Sequence, residues 1–350
     1  MTRHTRAVLI RTVALFAAAS PLLSPAFAGD PAWSQRFVEN AKLPPMFRQW
    51  EMKRPDGSVM IAYLGCFDEN PNQRKPLLVY LEGSGAQSHF VAVGDKVGYS
   101  LFVVFAKAAA ERFHVVAVEK RGVEFLGGAK RPGSAEGASD EYQKHATLED
   151  RVADVRLLLD TLLSSPTVDT GRVVVAGFSE GADVAAAVAA ADPRVTHVAC
   201  IAGAGASQLF DLICLQRRAM LRVGQSHEEV ERSIAALEAE YQKIFAEPRS
   251  IEKFFMGHAY RRWASFAAHA PVESLKKSRC KAFLAHGTAD ESVPIESFDL
   301  LTVDLFRAGR KDVTIRRYAG RDHSLRDPAA GDNAPPLADV IEALLKWAGE

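Results

Sequence analysis

Gly177-Phe178-Ser179-Glu180-Gly181 sets a serine between two glycines. It follows a short apolar run, Val173-Val174-Val175-Ala176, and leads straight into an alanine-rich stretch from Glu180 to Ala191. The run reads as a buried strand and the stretch as a helix. A serine on so tight a strand-to-helix turn adopts strained backbone angles, and small residues two places to either side let strand and helix approach. Such a turn lifts the hydroxyl into the open at the carboxyl edge of a sheet. The helix N-terminus behind it favours developing negative charge. The chemistry this suits is nucleophilic attack on a carbonyl, with Ser179 as the nucleophile.

The elements that must carry this turn alternate along the chain. A hairpin is expected from Phe47–Lys53 and Ser58–Leu64 around Arg54-Pro55-Asp56-Gly57. Leu77–Leu81 reads as a buried strand ending in Glu82-Gly83-Ser84-Gly85, followed by an apolar helix from Leu101 to Arg112. His114–Val118 is a further buried strand, ending in Glu119-Lys120-Arg121-Gly122. Residues 127–146 are rich in glycine, serine, alanine and charge and predict a loop. Leu148, Val152, Val155, Leu158, Leu159 and Leu162 predict a helix over Thr147–Leu163, and Val195–Ile201 another strand. Continuous apolar strands alternating with helices imply an α/β fold: a mostly parallel twisted sheet with helices on both faces. The alternation stops near Ser207 and resumes at Lys281. Between them Val230, Ile234, Leu237, Tyr241, Ile244 and Phe245 keep helical spacing, so residues 207–280 read as a wholly helical cap inserted into the sheet domain. A strand (Ala282–Ala285), a helix (Ile295–Ala308), a strand (Val313–Tyr318) and a helix (Leu337–Ala348) complete the chain, with no internal repeat.

Sheet, serine turn and inserted helices together resemble the α/β-hydrolase family, over about residue 47 to the C-terminus and least well in the cap. The resemblance implies an acid after the strand that follows the cap, where His286-Gly287-Thr288-Ala289-Asp290 stands, and Asp290 fits better than its neighbour Glu291. It implies a base after the last strand, where Gly320-Arg321-Asp322-His323-Ser324 offers His323 in the family's order Ser, Asp, His. His286, His114 and His145 are poorer candidates by position. Oxyanion donors are expected from the backbone N–H of Glu180 and, by position, of Ser84. Glu82 departs from the family, which often has histidine there; it either braces the loop or meets a cationic part of the substrate. Glu119-Lys120-Arg121-Gly122 resembles a D-x-R-G turn of several members and reads as structural. Ser250-Ile251-Glu252-Lys253 and Ser274-Leu275-Lys276-Lys277 have the S-x-x-K pattern without its K-T-G companion and read as chance. The implied activity is hydrolysis of a carboxylic ester on a small molecule, through an acyl-enzyme and without metal or organic cofactor. A peptidase acting on a peptide substrate and an inactive binding protein of the same fold are the alternatives.

Arg3, His4 and Arg6, an apolar run from Val13 to Leu23 and Ala26-Phe27-Ala28 have the parts of a secretory leader. The expected organisation is therefore leader 1–28, first core segment 29–206, cap 207–280 and second core segment 281–350, with export to the periplasm or medium. Without the leader the chain has 40 basic against 43 acidic residues. No basic stripe suggests nucleic acid, and no second apolar segment suggests stable membrane insertion. Cys66, Cys200, Cys214 and Cys280 match no zinc pattern; they allow disulfides, though Cys200 lies in an apolar strand where a buried thiol is equally expected.

Overall fold

The computed structural model describes residues 37–65, 73–109, 111–131, 133–203, 205–327, 329 and 337–350; the expected leader and Cys66 lie outside them. The strands are β1 (Phe37–Val38), β2 (Phe47–Lys53), β3 (Val59–Gly65), β4 (Lys75–Leu81), β5 (Phe90–Val93), β6 (Lys96–Tyr99), β7 (His114–Val118), β8 (Val168–Phe178), β9 (His197–Ile201), β10 (Phe254–Phe255), β11 (His258–Ala259), β12 (Lys281–Gly287) and β13 (Val313–Tyr318). The helices are α1 (Leu101–Ala109), α2 (Asp140–His145), α3 (Leu148–Leu162), α4 (Glu180–Ala191), α5 (Gln208–Arg222), α6 (His227–Ala246), α7 (Tyr260–Ala267), α8 (Pro271–Lys277), α9 (Ile295–Arg307) and α10 (Ala338–Gly349).

A nine-stranded sheet runs in the order β1-β2-β3-β7-β4-β8-β9-β12-β13. The β2–β3 hairpin is antiparallel and joins antiparallel to β7. From β7 to β13 every pairing is parallel, so those strands all end on one edge. Side chains alternate across the sheet with period two. Leu77, Val79, Leu81, Val173 and Val175 face the side covered by α3, α4, α8 and α9. Leu78, Tyr80, Val174 and Ala176 face α1 and α10. Burial on both faces is why these strands are uninterrupted apolar runs. Because β9 pairs directly with β12, α5–α8 leave the sheet unbroken.

Two expectations need correction. The stretch 127–146 is not all loop: Ser139 caps α2, accepting from Tyr142 N at 3.2 Å, and Tyr142 is buried. The residues between β9 and β12 are not wholly helical, because Phe254–Phe255 and His258–Ala259 form an antiparallel hairpin. Met256 and Gly257 turn that hairpin at positive φ, and Trp263 Nε1 of α7 donates to Phe255 O at 2.7 Å.

Candidate active site

Ser179 follows β8 and precedes α4, with φ +55° and ψ −126°. Few non-glycine residues accept that conformation, so the packing around it must enforce it. Gly177 and Gly181 make it possible. A β-carbon on Gly177 would stand 1.9 Å from Gly181 O, and one on Gly181 would stand 2.1 Å from Leu81 O. The turn is closed by Ser179 N donating to Ile201 O at 2.9 Å and Ala182 N donating to Ser179 O at 2.8 Å.

Asp290 and His323 come from the loops after β12 and β13, the strands beside β9 on the same carboxyl edge. His323 Nδ1 lies 2.8 Å from Asp290 Oδ2, and His323 Nε2 lies 3.1 Å from Ser179 Oγ. A carboxylate only accepts, so Nδ1 carries the proton and Nε2 is left to accept from the serine hydroxyl. Asp290 is fully buried and also accepts from Ser292 N at 2.7 Å and Val293 N at 2.9 Å. Burial by itself raises its carboxyl, but the hydrogen bond and charge of His323, the Val293 N–H and His286 outweigh it and hold the group below the usual range. Phe178 packs on the His323 ring with centroids 5.1 Å apart. His286 does not reach the serine; its Nε2 is 3.1 Å from Val293 O and its ring stacks on Phe298, bracing the turn that carries Asp290. Glu291 points elsewhere and pairs with Arg222.

The loop after β4 lies directly beside the serine. A β-carbon on Gly83 would be 3.2 Å from Ser179 Cβ and 3.6 Å from its Oγ. Glu180 opens α4, so its N–H has no acceptor one turn back. No hydrogen bond to the Ser84 N–H occurs among the described residues. Both expected donors are therefore free to serve an anionic oxygen. Glu82 turns inward: its Oε1 accepts from Tyr80 OH at 3.2 Å and from Gly83 N at 3.1 Å. Its Oε1 thus braces the loop, while Oε2 is buried with no hydrogen-bond partner among the described residues.

Around this loop lies a charge network that sequence reasoning did not find. The Glu180 side chain is buried, accepting from Arg151 Nη1 at 2.7 Å and from Arg262 Nε at 2.9 Å and Nη2. Burial alone raises the Glu180 carboxyl; Arg262, Arg151 and Lys120 overcome that and hold it down at about 2. Arg151 Nη2 also donates to Glu82 O at 2.6 Å, and Lys120 donates to Gly83 O and, at 2.7 Å, to Gly85 O. Burial, then the charge of Arg151, lowers Lys120 to about 8. A charged residue in the first turn behind a buried elbow is the signal that partners exist. Nothing in the sequence says that one is Arg262, 82 positions away in α7.

Among the described residues no group of His, Cys, Asp and Glu side chains converges as a metal site, and no helix is long and apolar enough to cross a membrane. Cys200, Cys214 and Cys280 are free thiols.

A sequence profile of the alpha/beta hydrolase family matches residues 83–340. No curated protein matches the chain. Among solved structures, alpha/beta hydrolase GrgF from Penicillium sp. sh18 superposes with a TM-score of 0.55 at 14% identity, covering 87% of this chain and 98% of that one. A puromycin-hydrolyzing peptidase of Mycobacterium tuberculosis gives 0.55 at 16% identity, over 86% of this chain and 39% of that one. Est1E from Butyrivibrio proteoclasticus gives 0.51 at 13% identity, over 86% and 99%. At these identities the likeness is one of fold.

Proposed function

The chain belongs to the alpha/beta hydrolase family, and we propose that it is an exported serine hydrolase that cleaves a carboxylic ester through an acyl-enzyme. The observation that carries this reading is the continuous hydrogen-bonded chain Asp290–His323–Ser179, set on a strained serine turn. His323 Nε2 takes the hydroxyl proton as Ser179 Oγ attacks the ester carbonyl. Asp290 keeps the imidazole in the needed tautomer and stabilises the imidazolium. The Glu180 and Ser84 N–H groups hold the tetrahedral oxyanion. His323 then passes the proton to the departing alcohol. Water then attacks the acyl-enzyme, giving up its proton to His323, which returns it to Ser179 Oγ as the acid is released.

Ester rather than peptide is favoured by one observation. Glu82, the carboxylate that a peptide amine would need near the serine, is turned into its own loop: Oε1 accepts from Tyr80 OH and Gly83 N, and Oε2 is buried away from solvent. Export rests on the basic start, apolar run and Ala26-Phe27-Ala28 at the N-terminus.

Labelling by a fluorophosphonate tests the reading. The wild type is expected to label, and Ser179→Ala and His323→Ala to lose the label. A folded wild type that does not label removes the serine mechanism. Short acyl esters are expected to turn over faster than aminoacyl amides; the reverse order replaces the esterase with a peptidase. N-terminal sequencing of exported protein is expected to begin at Gly29.

A further inference from the structure

Three cations gather behind the serine turn: Lys120, Arg151 and Arg262. Arg151 and Arg262 are matched by the Glu180 carboxylate. Lys120 is used differently. Among the described residues its ammonium pairs with no carboxylate and donates to two backbone carbonyls, Gly83 O and Gly85 O. The Gly83 carbonyl and the Ser84 N–H are opposite ends of one planar trans peptide unit, so they point in opposite directions. Whatever holds the carbonyl on one side fixes where the N–H aims on the other. Gly83 itself lies against Ser179.

The loop has few other restraints on that plane. It contains two glycines, Gly85 sits at φ +90°, and the strand ladder ends at Leu81. The preceding peptide is fixed in the same manner: Arg151 Nη2 holds Glu82 O at 2.6 Å and the Glu82 carboxylate holds Gly83 N at 3.1 Å. Arg151 in turn is fastened to Glu180, the residue that offers the other N–H. The two donors are thus tied into one framework of charged side chains.

We propose that Lys120 is a positioning residue of the oxyanion site: by holding the Gly83 carbonyl it turns the Ser84 N–H toward the substrate's carbonyl oxygen, and its charge polarises that amide into a stronger donor. This rests on the serine hydrolase reading above. It also gives a role to Glu119-Lys120-Arg121-Gly122, which the sequence alone presents as a structural turn.

The experiment compares wild type with Lys120→Met and Lys120→Arg. Readouts are fluorophosphonate labelling, steady-state kinetics on a p-nitrophenyl acyl ester, and inhibition by an alkyl trifluoromethyl ketone, whose hydrate-like adduct bears the oxyanion. Lys120→Met is expected to lower kcat by ~10- to 1000-fold, the range for a lost oxyanion donor. KM should change by less than about threefold, because the missing interaction exists only in the transition state. The inhibition constant of the ketone should rise in step with the loss in kcat. Lys120→Arg should recover most of the rate, since its fork spans two carbonyls. A lysine with only a structural role would lower the melting temperature and leave kcat and ketone affinity unchanged below it. A folded Lys120→Met enzyme with kcat within about threefold of wild type, or with unchanged ketone affinity, overturns the proposal. If Lys120→Met does not fold, Lys120→Gln is judged by the same two readouts. An unlabelled wild type overturns the serine hydrolase reading and this inference together. A labelled wild type beside a fully active Lys120→Met overturns this inference alone.

Discussion

Asp290 is the residue whose role is most sharply separable from its packing. Its Oδ1 holds the turn by accepting from Ser292 N and Val293 N, while Oδ2 faces His323 Nδ1. Asp290→Asn keeps an oxygen for the turn but presents an N–H₂ to the imidazole. The proton then moves to Nε2, which can no longer take one from Ser179. The expected result is a loss of ~10⁴ in kcat with the melting temperature nearly kept. Steady-state kinetics and a thermal melt check it; a kcat within tenfold of wild type would mean that Asp290 does not set the tautomer. At this scale the sequence was generous. A glycine-flanked serine between an apolar run and an alanine-rich stretch is a local pattern, and the positions of Asp290 and His323 are those that the resemblance to the α/β-hydrolase family implies once strands are assigned. Lys120 was hidden because its partners are backbone carbonyls 35 and 37 positions away, and a carbonyl leaves no mark in a sequence.

At the scale of elements, Glu180 joins the first turn of α4 to α3 through Arg151 and to α7 through Arg262. All three side chains are largely buried. Removing the charge of Glu180 strands two guanidinium groups, which costs about 3–5 kcal/mol. The pH dependence has a definite sign. The folded-state carboxyl is held at about 2, against an ordinary value of 4.5. Its contribution to stability is therefore complete above 4.5 and is lost as pH falls from there toward 2. In urea unfolding, Glu180→Gln should be less stable than wild type at pH 7, and the gap should shrink by on the order of 3 kcal/mol by pH 2. Asp290, also held low, titrates in both proteins and cancels from the difference. A gap independent of pH would show that Glu180 is not the ionised centre of the network. The elements themselves were legible where burial writes a period into the chain: α4, β7 and β13 have the bounds expected of them. The short helix α2 was not, because its six residues are charged or polar apart from Tyr142 and are held by the Ser139 cap and one buried ring. The β10–β11 hairpin was not, because two residues per strand are too few to show alternation.

For the whole molecule, the question is how the antiparallel hairpin at one end of the sheet is fixed to the parallel domain that carries the site. Hydrogen bonds from β3 to β7 do part of this. Arg121, in the loop after β7, adds a bond to Asp56 of the hairpin turn at 2.7 Å, and a buried ion pair adds another. Arg54, in the hairpin turn, donates from Nε at 2.6 Å to Asp154 Oδ1 and from Nη2 at 2.8 Å to Oδ2, so that residue 54 is bound to the middle of α3. Arg54 also donates to Val59 O, closing its own turn. The Arg-Pro-Asp-Gly turn announces a hairpin in the sequence, but a partner 100 positions away does not follow from any local pattern. A bidentate pair this far out of water is costly to break from one side, because the abandoned carboxylate stays buried. Arg54→Met should therefore lower unfolding free energy by about 3–5 kcal/mol. Arg54→Met with Asp154→Leu should regain much of that loss, since an apolar pair of similar volume removes the stranded charge. Neither Arg54 nor Asp154 hydrogen-bonds to Ser179, Asp290 or His323 among the described residues, so kcat measured well below the melting transition should stay within a few-fold of wild type in Arg54→Met. Denaturant unfolding of the single and double variants, read with ester turnover at a permissive temperature, separates fastening from chemistry. A single variant as stable as wild type would show that the Arg54–Asp154 pair does not fasten the hairpin.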